Sequence, residues 1–173
     1  MRTSVVHAWL LAALAVGSQA AFAPRALAQA ASGGLSAGAQ VVASGTLVGE
    51  APLTFGIVVP GVAKTVPPTS ALAARFAGVF PPNSRLRFTL TLPAQLTSGG
   101  NTLPVGGWSA LYSDDGSTAS ATALSTTKST IVRVHAVTGA AYVLIGGTVT
   151  PAAAQPSGIY AGVITLTGTF AGF

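Results

Sequence analysis

Few side chains in this sequence could act as an acid, a base or a nucleophile. The 173 residues include three Asp or Glu, two His and no Cys. His135 could serve as the general base of a serine hydrolase if Asp114 or Asp115 oriented it beside a serine. Arg133 falls on the same side of an alternating strand, and a neighbouring positive charge lowers the basicity of an imidazole. We therefore predict an ordinary surface histidine and no catalytic residue.

The acidic run Asp114-Asp115-Gly116-Ser117 is a second candidate, because Ca²⁺ prefers carboxylate and carbonyl oxygens. A calcium loop places its acids at alternate positions, and no further acid follows this run. Glu50 could join these aspartates as the carboxylate pair of a glycosidase, but nothing in the local sequence supports that pairing. We predict a solvated turn, in which Asp and Gly serve local hydrogen bonds and positive φ, and no metal site.

Four Gly-Gly pairs occur in the sequence, at 33–34, 99–100, 106–107 and 146–147. None has the G-x-G-x-x-G or Walker spacing that cradles a phosphate at a strand-to-helix junction. The last pair falls inside a predicted strand, where glycine indicates a bulge or the close approach of another backbone. No cofactor is therefore assigned.

Aromatic residues offer one further possibility. Trp108 follows a Gly-Gly pair and lies near Tyr112, so that the two rings could form an exposed platform for stacking on sugar rings. The alternative is that both rings are buried in the core of a β-sandwich. Burial is the expectation, and carbohydrate stacking stays open.

The N-terminus has the three parts of a secretory signal peptide. Arg2 supplies a positive charge, Ala8–Val16 is an apolar core, and Ala26-Leu27-Ala28 is an A-x-A cleavage site. The apolar core is shorter than the stretch of about 20 residues that a membrane-spanning helix needs. We expect residues 1–28 to be removed, so that the protein is exported to the periplasm, the cell surface or the medium. A second A-x-A site, Ala21-Phe22-Ala23, is disfavoured because Pro24 follows it.

The exported part would begin at Gln29, with a flexible tail over residues 29–38 and one domain over residues 39–173. Export normally permits disulfides, but the chain has no cysteine, so packing and backbone pairing alone must hold the fold. The whole chain has a net charge of +5 at pH 7, and removal of Arg2 and Arg25 leaves +3. The remaining basic residues are Lys64, Arg75, Arg85, Arg87, Lys128 and Arg133. They form no run or patch, so we do not expect nucleic acid as a partner.

Residues 85–92 (RLRFTLTL) give the clearest strand signal, because apolar and polar residues alternate along them. This alternation predicts that Leu90 lies in the core and Arg87 on the surface, and that Pro93 ends the strand. Further strands are predicted at Ala39–Val48, Leu53–Val58, Ala71–Ala77, Asn101–Ala110, Ile131–Val137, Tyr142–Thr150 and Tyr160–Phe170. Loops are predicted at Ser113–Lys128 and Pro151–Pro156.

Many short strands separated by Gly and Pro predict an all-β fold. The most suitable architecture is a single immunoglobulin-like antiparallel β-sandwich of about seven to nine strands. The first predicted strand, Ala39–Val48, could pair within its own sheet or add to the sheet edge of a neighbouring molecule. Pairing within its own sheet is the expectation, because the segment leads directly into the next strand.

Several motifs in order along the chain resemble one bacterial family. They are Leu53-Thr54-Phe55-Gly56 with Pro60-Gly61, Ala74-Arg75-Phe76 with Gly78, Phe88-Thr89-Leu90-Thr91-Leu92-Pro93, Ile145-Gly146-Gly147-Thr148, and Gln155-Pro156 with Gly158, Tyr160 and Gly162. Together they resemble the domain of unknown function 4402, a family of secreted β-sandwich proteins similar to spore-coat-U-like and fimbrial subunits. The resemblance covers roughly residues 39–170 and implies a structural role at the bacterial surface. Many fimbrial relatives carry a disulfide, which this chain lacks.

These observations favour a non-catalytic structural or assembly protein of the bacterial cell envelope. Its partners would be itself or other envelope subunits, joined through β-strand pairing. The alternative is a secreted module that binds carbohydrate or another surface through aromatic loop residues. After signal cleavage we expect no stable membrane span.

Overall fold

The computed structural model describes residues 44–171. That range contains ten β-strands and no helix, so the predicted all-β fold is confirmed, with one strand more than expected. The strands are β1 (Thr46–Ala51), β2 (Lys64–Val66), β3 (Ala74–Val79), β4 (Arg85–Thr91), β5 (Gln95–Ser98), β6 (Asn101–Ser113), β7 (Thr122–Leu124), β8 (Thr130–Arg133), β9 (Ala140–Val149) and β10 (Thr165–Phe170).

The strands form two sheets in which every pairing is antiparallel. The larger sheet has seven strands in the order β1-β3-β9-β6-β5, with β2 beside β9 and β7 beside β6. The smaller sheet has three strands in the order β10-β4-β8. One apolar core lies between the sheets, as in a β-sandwich.

The main core joins residues of both sheets. Its most completely buried side chains are Leu86 and Phe88 from β4, and Val143 and Ile145 from β9. A second cluster includes Phe55, Val66, Leu103, Val105 and Val149. Trp108 packs against both clusters and so connects them.

Strand β4 follows the predicted alternation. Leu86 and Phe88 are buried, and Arg87 between them is exposed. Leu90 is half-buried and packs against the edge of the main core, which confirms its inward orientation. The strand ends at Thr91, two residues before Pro93.

The prediction of a strand at Leu53–Val58 is wrong. The segment is irregular, because Gly56 adopts a left-handed φ of 64° that breaks the extended backbone. Strand β2 occurs instead at Lys64–Val66, where no strand was predicted. Strand β7 lies inside the predicted loop Ser113–Lys128, and β5 was also missed.

Other strand boundaries differ from the predictions by a few residues. The strand predicted at Ile131–Val137 ends at Arg133, because the chain turns at 136–138 before β9. The final strand begins at Thr165 rather than near Tyr160. Of the predicted first strand, residues 39–43 lie outside the described residues. Residues 46–48 pair with β3 in their own sheet, as expected.

The glycine pair at 146–147 marks a close backbone approach, as predicted. A Cβ atom on Gly146 would collide with the carbonyl oxygen of Val66 in β2. The bulge lies on the opposite strand, where the register of β6 shifts between Gly106 and Ser109. Glycine at 146 therefore leaves room for the chain as it ends β2 and continues through Pro67 and Pro68 close to β9.

The two faces of β4 should respond differently to truncation. Phe88→Ala should lower the free energy of unfolding by about 3–5 kcal/mol, because it removes a fully buried ring between the sheets. Thr89→Ala, at the adjacent exposed position, should change it by less than about 0.5 kcal/mol. Urea denaturation of both variants measures the difference. Equal losses would mean that the described register is wrong by one residue.

Candidate functional site

The described part of the chain has a cleft of about 1090 Å³. Its walls are two irregular segments, residues 52–60 after β1 and residues 151–164 after β9. Both segments are rich in Pro and Gly, which keeps them out of regular structure. A cleft of this size is suited to a ligand or a peptide segment.

The floor of the cleft is apolar and partly aromatic. It is lined by Leu53 and Phe55 from one wall, by Leu96 from β5, and by Leu103 and Trp108 from β6. Phe55 and Leu103 belong to the second core cluster, so the packed core extends to the cleft surface. Glu50 is the one charged side chain among the lining residues, so the cleft favours an uncharged occupant.

The side chains of Gln155 and Tyr160 hold the second wall in place. The Gln155 amide donates to the carbonyl oxygen of Thr102 at 3.0 Å and to the Tyr160 hydroxyl at 2.7 Å. That hydroxyl in turn donates to the carbonyl oxygen of Pro156 at 2.8 Å. The wall is therefore connected to β6, and the side chains of Gln155 and Tyr160 are used for this connection.

The rim of the cleft exposes large aliphatic side chains. Ile57 on one wall and Ile159 on the other are 89% and 91% exposed, and Val163 is 77% exposed. Single exposed apolar residues are ordinary, but three beside one apolar cleft form a patch that favours contact with another molecule.

Along both walls, some residues have backbone partners and others have none in the described part of the chain. Ala161 exchanges two hydrogen bonds with Thr97, at 2.9 and 3.0 Å, which anchors the second wall to β5. Within residues 44–171, Leu53, Phe55, Tyr160 and Gly162 make no backbone–backbone hydrogen bond. Each wall therefore offers amide and carbonyl groups for pairing with an added strand.

His135 is a turn residue in the connection between β8 and β9. Its Nδ1 accepts hydrogen bonds from the backbone amides of Val137 at 3.3 Å and Thr138 at 3.1 Å. It has no hydrogen bond to Asp114, Asp115 or any serine of the described chain. The imidazole caps its own turn, and it is half-buried rather than fully exposed.

The acidic run forms a turn closed by its own side chains, as predicted. Oδ1 of Asp115 accepts hydrogen bonds from the Ser113 hydroxyl, the Ser117 amide and the Ser120 hydroxyl, at 2.7 to 2.9 Å. These hydrogen bonds lower the pKa of the Asp115 carboxyl, and the bond from Ser113 has the largest effect. Glu50 instead forms an ion pair with Arg75 at 2.6 Å. Among residues 44–171 no group of three or more His, Cys, Asp or Glu could hold a metal ion.

The two aromatic candidates have different positions. Tyr112 is buried, and its hydroxyl donates to the carbonyl oxygen of Arg133 at 2.7 Å. Burial, and secondly the charge of Asp114, raise the pKa of this phenol far above its usual range. Tyr112 is therefore a core residue, as expected. Trp108 is half-buried, packs against the core and also lines the cleft, where its ring could contact a ligand.

Sequence reasoning missed the cleft and one short motif. The cleft depends on two segments about 100 residues apart, and its local signal was only apolar residues flanked by Pro and Gly. The missed motif is Gly34-Leu35-Ser36-Ala37-Gly38, which has the G-x-S-x-G spacing of a nucleophile elbow. It lies outside the described residues, in a stretch rich in Ala, Gly and Ser. Residues 44–171 contain no helix that could cross a membrane.

Truncation of His135 should affect stability. His135→Ala removes the acceptor for two turn amides and should lower the free energy of unfolding by about 0.5–1.5 kcal/mol. His135→Asn should retain most of this stability, because the amide oxygen of Asn can cap the same turn. Urea denaturation measures both variants. An alanine variant as stable as the unchanged protein would contradict the capping role.

The turn around Asp115 should loosen in acid. Because its pKa is lower in the fold than its ordinary value of 3.8, Asp115 orders the turn fully above that value. This contribution is lost as the pH falls through the folded pKa. The Ser117 amide signal in NMR spectra should therefore change between pH 5 and pH 2, which spans the ordinary carboxyl range of about 4. The change should be absent in Asp115→Asn and present in Asp114→Asn. A Ser117 signal that does not change with pH would contradict the role of Asp115 in ordering the turn.

Comparison with known proteins finds no relative of this chain among protein-family models or curated proteins. The geometry of the cleft and the motifs of the sequence are therefore the basis for any functional assignment.

Proposed function

We propose that the protein is a non-catalytic structural or assembly subunit of the bacterial cell envelope. It is exported to the periplasm, the cell surface or the medium, and it associates with its partners through β-strand pairing. The observation that carries this proposal is the apolar cleft, whose two walls include residues, such as Leu53 and Gly162, that make no backbone–backbone hydrogen bond within residues 44–171. The motifs that resemble the domain of unknown function 4402 agree with such a role.

An added strand would contact the cleft through its backbone and through its side chains. Its backbone would pair with amide and carbonyl groups of the walls that have no backbone partner within residues 44–171, at exposed residues such as Gly162. Its alternate side chains would point toward the floor formed by Leu53, Leu96 and Trp108. Backbone pairing supplies affinity in this mode of recognition, and the side-chain pockets supply specificity.

The lining also indicates which strand fits. Only Glu50 carries a charge, so a segment with apolar residues at alternate positions is favoured over a charged one. The exposed rim residues Ile57, Ile159 and Val163 would be covered by such a partner. Burying these side chains provides a hydrophobic contribution that the isolated subunit lacks.

Carbohydrate binding is the second candidate, supported by one observation. Trp108 and Tyr160 are half-buried and both line the cleft, so their rings could stack on a sugar. Binding of neutral oligosaccharides to the cleft, with no binding of peptides, would favour this candidate.

A labelled decapeptide with the alternating sequence of Ala39–Val48 is a suitable probe of strand addition. The protein should bind it, as measured by fluorescence anisotropy. The same peptide with every second amide N-methylated should bind much more weakly, because methylation blocks backbone pairing and leaves the side chains in place. Failure of the unmodified peptide to bind, or equal binding of the methylated one, would refute strand addition in this cleft.

A matched pair of surface variants localises the binding. Val163 on the cleft rim is 77% exposed, and Val137 in the β8–β9 turn is 78% exposed. Val163→Asp should weaken peptide binding about tenfold, because it places a charge beside an apolar contact. Val137→Asp should leave binding unchanged, although both variants add the same charge. Equal effects of the two substitutions would place the peptide elsewhere.

A further inference from the structure

The outer face of the smaller sheet gathers arginines that are scattered in the sequence. Arg85 and Arg87 lie on the exposed side of β4, and Arg133 lies on the exposed side of β8. Arg85 is the direct register partner of Arg133, and Arg87 is the partner of Ile131. Lys128 is exposed just before β8. We call Arg85, Arg87 and Arg133 the arginine face.

Two of these cations are held side by side. Directly opposed residues of antiparallel strands have Cβ atoms about 4.5–5.5 Å apart, so the stems of Arg85 and Arg133 are close neighbours. Like charges in such a pair repel and destabilise the sheet. A ligand with negative charge placed over the pair would remove this repulsion.

No acidic side chain within residues 44–171 forms an ion pair with the arginine face. The ion pair found within residues 44–171 joins Glu50 to Arg75 on the larger sheet. Asp115 is engaged by the serines of its own turn. Arg87 donates to the Ser129 hydroxyl at 3.3 Å, and neither Arg85 nor Arg133 has a side-chain hydrogen bond within that range. As far as residues 44–171 show, the guanidinium groups of Arg85 and Arg133 are therefore available to an external anion, and that of Arg87 has one protein partner.

Apart from Ile131, which is 42% exposed, the remainder of this face consists of threonines. The exposed members are Thr89 and Thr91 of β4 and Thr165, Thr167 and Thr169 of β10. They lie opposite one another in register, and Thr169 lies opposite Arg87. Rows of hydroxyls beside guanidinium groups match a ligand that carries both hydroxyl and carboxylate groups.

The composition of the face distinguishes among polyanions. The aromatic neighbours Phe88 and Phe170 lie on the other side of this sheet, where Phe88 is buried and Phe170, which is 36% exposed, packs edge-on against Phe80. The arginine face therefore presents no aromatic ring to stack on nucleic-acid bases. An acidic polysaccharide needs no such ring. Its repeating carboxylates can occupy the guanidinium forks, and its hydroxyls can bond the threonines.

We propose that the arginine face binds an acidic polysaccharide, with uronate carboxylates held by Arg85, Arg87 and Arg133. This site is independent of strand addition, because none of the three arginines lines the cleft. The basic residues form no run along the sequence. The expectation that they form no patch is wrong, because the pairing of β4 with β8 brings Arg85, Arg87 and Arg133 onto one face.

Polygalacturonate, a defined polyuronide, is the probe. The protein should bind it in isothermal titration calorimetry at low salt, more weakly as salt is added, and should not bind neutral dextran. Arg85→Gln should weaken binding about tenfold, because it removes one charge-assisted contact. Arg75→Gln removes the same charge from the larger sheet and should leave binding unchanged. Arg85→Lys should lie between them, since it keeps the charge and loses the fork.

The outcomes separate the alternatives. Equal losses for Arg85→Gln and Arg75→Gln would overturn the proposal, because binding would then follow net charge alone. Stronger binding to duplex DNA or to phosphatidylglycerol vesicles than to polygalacturonate would also overturn it. Circular dichroism establishes that each variant is folded. Failure of the decapeptide to bind the cleft leaves these results unaffected, so the two proposals can fail separately.

Discussion

The contact of Phe88 with the aromatic rings around it holds the two sheets together. Its ring lies 6.2 Å from that of Tyr112 on the larger sheet and 6.4 Å from that of Phe80 on the connection between β3 and β4. With no cysteine in the chain, this packing does what a disulfide does in many exported domains. Both the cleft and the arginine face depend on it, because each is built on strands that this core positions.

The sequence predicted those elements whose signal is local. Strand β4 was found because Leu86, Phe88 and Leu90 alternate with polar residues, and this pattern reflects one buried face and one exposed face. The segment 53–58 has the composition of a strand, but Gly56 at positive φ interrupts it. Strand β7 has only three residues within a polar stretch, so its pairing with β6 left no visible pattern.

Features formed by distant residues could not be predicted in this way. Arg85 and Arg133 are separated by more than 40 positions, and only the pairing of β4 with β8 places them together. The walls of the cleft are brought together by the larger sheet and by the Gln155 tie to Thr102. The turn that Asp115 organises was predicted from the sequence. The turn capped by His135 and the ion pair of Glu50 with Arg75 were not, because both depend on how the chain folds.

The location of the arginine face also limits which surfaces of two copies can contact each other. Two copies that approached each other through their smaller sheets would bring Arg85, Arg87 and Arg133 of each against the same cations of the other. That arrangement is disfavoured, whereas the uncharged rim around Ile57 and Ile159 carries no such penalty. In the assembly proposed above, contact through the cleft would leave the arginine face of each copy turned away from its neighbour.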